Sequence, residues 1–208
     1  MKRERRNYVM SKLKDLMEKR RSAYVVGQNT DLTPEEITDA ITETALHVPT
    51  AFNAQSHRLA VVYGDVNEKV WDIIYDSAQS FVDPEQLKEM EAVYKNPKKG
   101  VGTILFFEDR DAVKENIPAN EERSQVYKLD GSANSQLTAW LTLTELGLGA
   151  TLQHHNIGYE HGFDKAFREL LDLPESYELV AEMPFGSIEQ DFSEQASLTG
   201  DKLVKSFQ

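Results

Sequence analysis

Two amide side chains, Asn53 and Gln55, stand in a stretch of small and mostly uncharged residues that covers residues 47–58. A segment with helical spacing leads into Pro49, and a segment rich in strand-forming residues follows. The stretch is therefore predicted to be a loop between two regular elements. Its amides can donate and accept hydrogen bonds in one plane. This chemistry suits a flat, polar ligand, and loops held in this way often carry function.

A short basic cluster, Arg20-Arg21-Ser22, follows the first predicted helix. One interpretation is structural, because cations stabilise the C-terminal end of a helix. The other is an anion site, in which the guanidinium groups and the serine hydroxyl hold a phosphate. On spacing alone the structural interpretation is the stronger, and the anion site stays open as the alternative.

A long, nearly uncharged segment is the third feature, since Glu145 is the only formal charge between residues 131 and 159. Its helical part is apolar on more than one side, which is typical of a helix in a core or an interface and favours a dimer. The segment Gln153-His154-His155 follows. These histidines could bind a metal together with Glu160 and His161. Adjacent histidines on extended backbone point to opposite faces, however, so we expect surface or hydrogen-bonded side chains there in preference to a metal site.

These features need a framework of helices and strands. Helices are predicted over residues 8–20, 33–48, 67–80, 108–116, 121–148 and 163–171, and from Asp83 onward; the long one has a candidate break at Gly131. Strands are predicted over residues 59–63, 101–107, 150–153 and 177–184. Thr33-Pro34-Glu35-Glu36 is a capping box with proline at the first helical position. The helix over residues 67–80 and the one after it are expected to face solvent or to form a lid.

Composition limits the functional classes. The chain has 208 residues, a formal charge of −12 and no cysteine, which argues against general nucleic-acid binding and against cysteine chemistry. No apolar run approaches the ~20 residues of a membrane span. We expect one domain over residues 1–208, a cytoplasmic location and no membrane partner. Apolar residues near the C-terminus, Leu203 and Phe207 among them, are expected to pack on another surface.

The order and spacing of these segments resemble the nitroreductase family of FMN-dependent oxidoreductases, in its short fatty-acid-repression branch. The resemblance rests on the basic cluster and on three longer segments. Those three are residues 49–56 (PTAFNAQS), 102–109 (GTILFFED) and 147–156 (GLGATLQHHN). It implies an α+β fold, with a mainly antiparallel sheet flanked by helices, and an intertwined homodimer with two FMN sites shared between subunits.

The resemblance also implies roles for individual residues. Arg20 and Ser22 would hold the FMN phosphate, with Arg21 near the ring edge or the ribityl chain. The loop that opens at Pro49 would reach the isoalloxazine of the partner subunit through Thr50, Ala51 and Asn53, with Gln55 beside them. Backbone at Gln153, His154 and His155 would contact the ring near N5. Lys202 or Lys205 would supply a late cation, since residues 189–201 contain none.

The implied reaction is a ping-pong exchange, in which NADH or NADPH reduces the flavin and a nitroaromatic, quinone or related small molecule then takes the electrons. The flavin carries the chemistry, so no side chain is expected to act as a catalytic nucleophile. The alternative interpretation is a module that binds flavin or a small anion without turnover.

Overall fold

An antiparallel sheet organises the chain. The computed structural model describes residues 12–118, 123–156, 158–194 and 200–207. The strands are β1 (Val26–Gly27), β2 (His57–Tyr63), β3 (Gly102–Asp109), β4 (Gly149–Ala150) and β5 (Tyr177–Ile188). They lie in the order β1-β5-β3-β2, and β4 also pairs with β5. The predicted strands 59–63, 101–107 and 177–184 are confirmed, although β5 continues to Ile188.

Helices cover both faces of this sheet. They are α1 (Lys12–Lys19), α2 (Pro34–Ala45), α3 (Gly64–Ala78), α4 (Pro84–Glu89), α5 (Glu91–Lys95), α6 (Arg110–Asn116), α7 (Ser124–Glu145), α8 (Lys165–Leu171) and α9 (Gly200–Leu203). The expected start of the first helix, at residues 8–11, lies outside the described residues. The candidate break at Gly131 is wrong, because α7 runs through that glycine without interruption. The α+β architecture with a mainly antiparallel sheet is confirmed.

The start of α2 follows from local chemistry. The Thr33 hydroxyl accepts a hydrogen bond from the Glu36 backbone N–H at 3.2 Å, and the Glu36 carboxylate accepts one from the Thr33 backbone N–H at 2.8 Å. Pro34 occupies the first helical position. This is the predicted capping box, and it fixes where the chain enters the helix that leads to Pro49.

Alternate side chains of β3 enter two separate cores. Ile104 and Phe106 lie in one core with α2 and α7, while Leu105 and Phe107 lie in the other with α3 and α8. A strand buried on both faces reads as a continuous apolar run, which is why residues 101–107 show no polar alternation.

The expectation of a solvent-facing or lid-like helical pair is wrong. Trp71 and Ile74 of α3, Leu87 of α4 and Tyr94 of α5 are buried in the second core. The apolar sides of these helices cover one face of the sheet. Among the described residues, no helix is both long and apolar enough to cross a membrane.

Candidate functional site

The basic cluster lines a cavity at the end of α1. Ser22 forms an isolated parallel bridge with Ala150, and the Ala23 backbone N–H donates to the Ala150 carbonyl at 2.9 Å. These contacts hold the cluster beside β4, which directly follows α7. The cavity has a volume of about 370 Å³. Its lining is Arg20, Arg21, Ser22, Tyr24, Gln190, Asp191, Phe192 and Ser193.

Each arginine of the cluster is oriented by an aromatic ring. The guanidinium of Arg20 lies over Trp140 of α7, at 4.4 Å from the ring centre. The guanidinium of Arg21 lies over Phe192 at 5.2 Å, and its Nη2 donates to the Ser193 carbonyl at 2.7 Å. Planar cations held in this way, next to the Ser22 hydroxyl, form a donor set suited to a phosphate.

The wall opposite the arginines comes from the segment after β5. The side-chain Oε1 of Gln190 accepts hydrogen bonds from the backbone N–H groups of Tyr24 and Val25, at 2.7 and 2.8 Å. The sequence analysis missed this wall. The segment is polar and shows no helical or strand periodicity. Nothing in its local sequence therefore predicts that it lies beside residues 20–22.

A second cavity lies further along α7 and has a volume of about 460 Å³. It is lined by Lys128, Leu129, Ser132, Ala133, Gln136, His154, Asn156, Gly158, Glu178, Leu179 and Val180. Lys128 Nζ bonds both carboxylate oxygens of Glu178, at 3.1 and 3.0 Å. On α7, Gln136 stands one turn before Trp140, so the second cavity lies on the same face of that helix as the contact between Arg20 and Trp140.

His154 and His155 point in opposite directions, as predicted. His154 borders the α7 cavity, whereas the ring of His155 packs against Trp71 and Tyr94, with centroid distances of 5.7 and 5.3 Å. Burial lowers the pKa of His155 to about 4, so its ring is neutral at neutral pH. Its Nε2 lies 2.5 Å from the side-chain oxygen of Gln153. In the part of the chain that the structure describes, no group of three or more potential ligands is placed to hold a metal ion.

The segment that carries these histidines is joined to the central strand β5. Gln153 and Glu182 form an antiparallel bridge, with backbone hydrogen bonds of 2.8 and 3.0 Å. The carboxylate Oε2 of Glu182 also accepts the backbone N–H of His155 at 3.1 Å. Burial raises the pKa of Glu182 to about 8. The sequence analysis did not single out this carboxyl group, although an acidic residue inside an apolar strand is a signal that could have done so.

The amide loop is a strained turn. Phe52, Asn53 and Gln55 have φ values of 56°, 53° and 47°, in the left-handed region that bulky residues rarely adopt. The hydroxyl of Thr50 accepts the Gln55 backbone N–H at 3.0 Å and holds the turn closed. Phe52 is 60% exposed, and its ring packs edge-on against Tyr127 of α7, with 5.3 Å between the ring centroids.

A hydrogen bond and a close approach at a glycine also seat this loop on α7. Asn134 Nδ2 donates to the Pro49 carbonyl at 3.1 Å. A Cβ on Gly131 would lie 3.3 Å from Thr50 Cγ2, so glycine at that position lets the loop approach the helix closely.

A buried acid supports the other end of the loop. The Ser56 hydroxyl donates to Glu108 Oε2 at 2.5 Å, and the Ser56 carbonyl accepts the Asp109 N–H at 2.8 Å. Glu108 is fully buried. Burial raises its pKa to about 7, against the opposing effects of the Ser56 hydrogen bond and the Lys128 charge.

Within one chain, the predicted residues form two groups. The cluster at residues 20–22 and the segment at residues 153–155 both lie along α7. The amide loop contacts α7 at another position, and Gln55 lines a separate cavity of about 490 Å³ between α2 and β2. Lys202 and Lys205 are exposed on the C-terminal segment, and the described lining of the arginine cavity does not include them.

Comparison with known proteins gives consistent matches. The model of the family described as "Nitroreductase family" matches residues 17–187. The putative nitroreductase HBN1 of Saccharomyces cerevisiae is 28% identical over 160 residues, which are 76% of this chain and 77% of that protein. The structure of nitroreductase CinD from Lactococcus lactis in complex with 4-nitrophenol is 34% identical, with a TM-score of 0.78, and covers 94% of this chain and 100% of that one.

A more distant structure shares the fold. A putative nitroreductase from Desulfovibrio desulfuricans, solved in complex with FMN, is 19% identical with a TM-score of 0.66. The match covers 95% of this chain and 98% of that one.

Proposed function

This chain belongs to the nitroreductase family, and we propose that it is an FMN-dependent oxidoreductase that uses NADH or NADPH to reduce nitroaromatics, quinones or related acceptors. The family supports an oxidoreductase in general. The neighbour solved with FMN and the CinD complex with 4-nitrophenol support the cofactor and the acceptor class in the proposal.

One observation carries the cofactor assignment: a phosphate-type donor set and a ring-sized cavity lie on the same face of α7. Arg20 is stacked on Trp140, and Ala133 lines the second cavity. At a rise of 1.5 Å per residue, these two positions are about 10 Å apart along the helix axis. A molecule with an anionic end, a flexible linker and a flat polar ring fits this arrangement.

The hydrogen-bonding and apolar groups around the two cavities suit such a molecule. In this proposal, Arg20 and Ser22 would hold the phosphate, with Arg21 beside it. Leu129 and Ala133 offer an apolar wall for a ring, while the backbone at residues 153–155 offers hydrogen-bonding groups at its edge. Lys202 or Lys205 would add a cation to the phosphate site.

FMN bound here would supply the redox chemistry, taking a hydride from NADH or NADPH and passing electrons to the acceptor in a ping-pong cycle. The residues of the chain would bind the cofactor, orient it and keep water from its ring. A backbone N–H near His154 would favour the reduced state, because an aligned dipole stabilises the charge that develops there. No side chain is assigned a covalent role.

The second half of each site is proposed to come from a partner subunit in a homodimer. Apolar residues form an exposed stripe on α7, on the side turned away from the sheet: Val126, Leu129, Ala133 and Leu137. Leu129 is 53% exposed and Leu137 is 42% exposed, which is unusual for large apolar residues on one helix face. The apolar residues of the C-terminal segment are exposed as well: Leu203, Val204 and Phe207. Burial of both surfaces against a second copy would place Thr50, Ala51 and Asn53 at the partner's flavin.

The visible spectrum of the purified protein tests the cofactor assignment. We expect a yellow protein with flavin absorption near ~450 nm. A colourless protein that shows no bound-flavin spectrum after FMN is added would contradict it. Steady-state oxidation of NADH or NADPH with a quinone or a nitroaromatic then tests turnover, which we expect on the scale of ~1 per second or faster. Flavin binding without turnover would instead support the binding-module alternative.

A further inference from the structure

Glu182 is a carboxylic acid enclosed in the middle of the sheet. It lies on β5 opposite Leu105 of β3, and its side chain is 0% exposed. Burying a carboxyl group in this way is unfavourable unless its oxygens are hydrogen-bonded. Within the described residues, Oε2 has the His155 N–H as a partner and Oε1 has none. An apolar residue at this position of the strand would avoid this cost. Packing alone therefore does not explain why an acid is found there.

All of the polar contacts described for Glu182 go to one short segment. Its backbone carbonyl accepts the Gln153 N–H, its backbone N–H donates to the Gln153 carbonyl, and its carboxylate accepts the His155 N–H. The residue between these two anchor points is His154, which borders the α7 cavity. Glu182 therefore holds residues 153–155 from the buried side. The next residue, Asn156, has its own anchor, because its side-chain Nδ2 donates to the carbonyls of Leu179 and Val180.

The surroundings of this carboxyl group make its charge sensitive to the local structure. Burial is the main cause that raises the pKa of Glu182, the His155 N–H lowers it, and repulsion from Asp164, which precedes α8, raises it further. Asp164 is itself buried, accepts the Leu179 N–H at 2.8 Å and lies 3.5 Å from Arg168 of α8. From α5, Tyr94 faces the same region through its contact with the neutral ring of His155.

We propose that Glu182 is a positioning residue for the cavity along α7: its backbone holds Gln153, its carboxyl group holds the backbone N–H of His155, and gain of negative charge by that carboxyl group strengthens the bond to His155. An ionised acceptor forms a shorter and stronger hydrogen bond to a backbone N–H than a neutral one does. Because this backbone is the part of the chain assigned to the edge of the flavin ring, the consequence for the cofactor rests on the proposed function. The hydrogen-bonding role itself does not.

The amide resonance of His155 in the FMN-free protein tests the positioning role directly. As pH is raised from 6 to 9, its ¹H and ¹⁵N shifts should move in one step, downfield for the proton, because the carboxylate strengthens the bond. In Glu182→Gln the acceptor is kept but cannot ionise, so the step should vanish. A step that persists in Glu182→Gln, or a flat response in the unchanged protein, would overturn the proposal.

Asp164→Asn is the matched control, because Asp164 is another buried acid that accepts a backbone N–H in the same core. It should leave the step at His155 in place, with its midpoint displaced to lower pH, since the repulsion on Glu182 is removed. Loss of the step in Asp164→Asn would assign the titration to Asp164 and contradict the role of Glu182.

FMN binding provides a second test of the positioning role. Glu182→Leu replaces the hydrogen-bond acceptor by an apolar side chain. We expect the Kd for FMN to rise by about tenfold or more, the equivalent of one lost backbone hydrogen bond. Glu182→Gln should bind FMN within about threefold of the unchanged protein near pH 6, where both side chains are neutral acceptors. If no form binds FMN, the proposed function fails while the His155 titration still decides the positioning role. If Glu182→Leu binds FMN normally with His155 undisturbed, the positioning role fails alone.

Discussion

The guanidinium of Arg20 lies 4.4 Å from the centre of the Trp140 ring, and this contact joins the end of α1 to the middle of α7. A cation over an aromatic face is worth about 0.5–2 kcal/mol and also fixes the plane of the guanidinium. The two residues are 120 positions apart in the sequence. Their contact places the basic cluster on the same helix face as the His154 cavity, and so turns two separate sequence features into one candidate site.

Replacing Arg20 by alanine should weaken FMN binding more than it weakens folding. A charge-assisted hydrogen bond to a phosphate contributes about 1.5–3 kcal/mol, so the Kd should rise roughly 10- to 100-fold. Loss of the helix-end cation lowers the unfolding free energy by about 0.3–1 kcal/mol, and loss of its contact with Trp140, which is partly exposed, by about 0.5–1 kcal/mol more. Flavin fluorescence titration and chemical denaturation measure the two effects.

A cation elsewhere on α1 serves as the control for that experiment. Lys14 is paired with Glu18 on the exposed side of the helix, at 2.9 Å, and Lys14→Ala should leave the Kd for FMN unchanged. If Arg20→Ala loses binding and stability in equal measure, Arg20 has only the helix-end role.

The backbone strain at Gln55 predicts an inversion of the usual glycine effect. At φ 47°, the Cβ of a non-glycine residue costs roughly 1–2 kcal/mol. Gln55→Gly should therefore be more stable than Gln55→Ala, by about 1 kcal/mol after the extra entropy of glycine in the unfolded chain is subtracted. Thermal unfolding of the two variants measures the difference.

At Ala51, by contrast, glycine should be less stable than alanine. Ala51 begins the same turn and is not among the residues with positive φ. Ala51→Gly should accordingly lower the unfolding free energy, by about 0.5–1 kcal/mol. The strain argument is wrong if glycine destabilises both positions.

The buried acid that holds Ser56 predicts a pH-dependent stability difference. The pKa of Glu108 is about 7 when folded, against an ordinary value of 4.5, so the folded protein retains its proton where the unfolded chain has lost it. The contribution of Glu108 is therefore most favourable below about pH 4.5 and declines as pH rises to about 7. Between these values the unfolding free energy of the unchanged protein should fall, relative to Glu108→Gln, by about 1.4 kcal/mol per pH unit.

Denaturant unfolding of both proteins at pH 5, 6, 7 and 8 measures this difference. The difference should level off above pH 7, where Glu108 is ionised in both states. His155 has a lowered pKa, so its contribution to the unfolding free energy changes with pH in the opposite direction below about pH 6.5. That contribution is the same in Glu108→Gln, so the comparison removes it. A constant difference across the series would contradict the assignment.

The exposed stripe of α7 predicts that assembly and cofactor binding are linked. Val126 and Leu137 belong to the stripe and lie outside the lining of both cavities on α7. The double change Val126→Glu and Leu137→Glu should give a folded monomer, because charges in an apolar interface are costly to desolvate. That monomer should lose FMN although every assigned contact residue is intact. Light scattering and the flavin spectrum provide the two measurements.

Phe81→Glu is the control for the α7 variant. Phe81 is another exposed apolar residue, in the turn that follows α3, and its replacement should leave both the dimer and the bound flavin unchanged. A monomeric variant that holds FMN tightly would overturn the proposal that Thr50 to Asn53 serve the partner's site.

The sequence by itself determined the elements that depend on near neighbours. The capping box at Thr33 forms as expected because its partners are three residues apart. The run in β3 is buried on both faces, and the two adjacent histidines diverge, because side chains alternate along any extended chain. The family resemblance also follows from sequence order alone, since the spacing of its segments is a property of the chain.

The tertiary structure decided which of those segments meet. Arg21 and Ser193 are bonded although 172 residues separate them, and no local pattern predicts such a pair. The same holds for the carboxyl groups of Glu182 and Glu108, which acquire their shifted pKa values only through burial by distant elements. The helices α3 to α5 cover a sheet face instead of forming a lid for the same reason. Local conformation is set by neighbours in sequence, whereas burial, charge and the approach of side chains are set by neighbours in space.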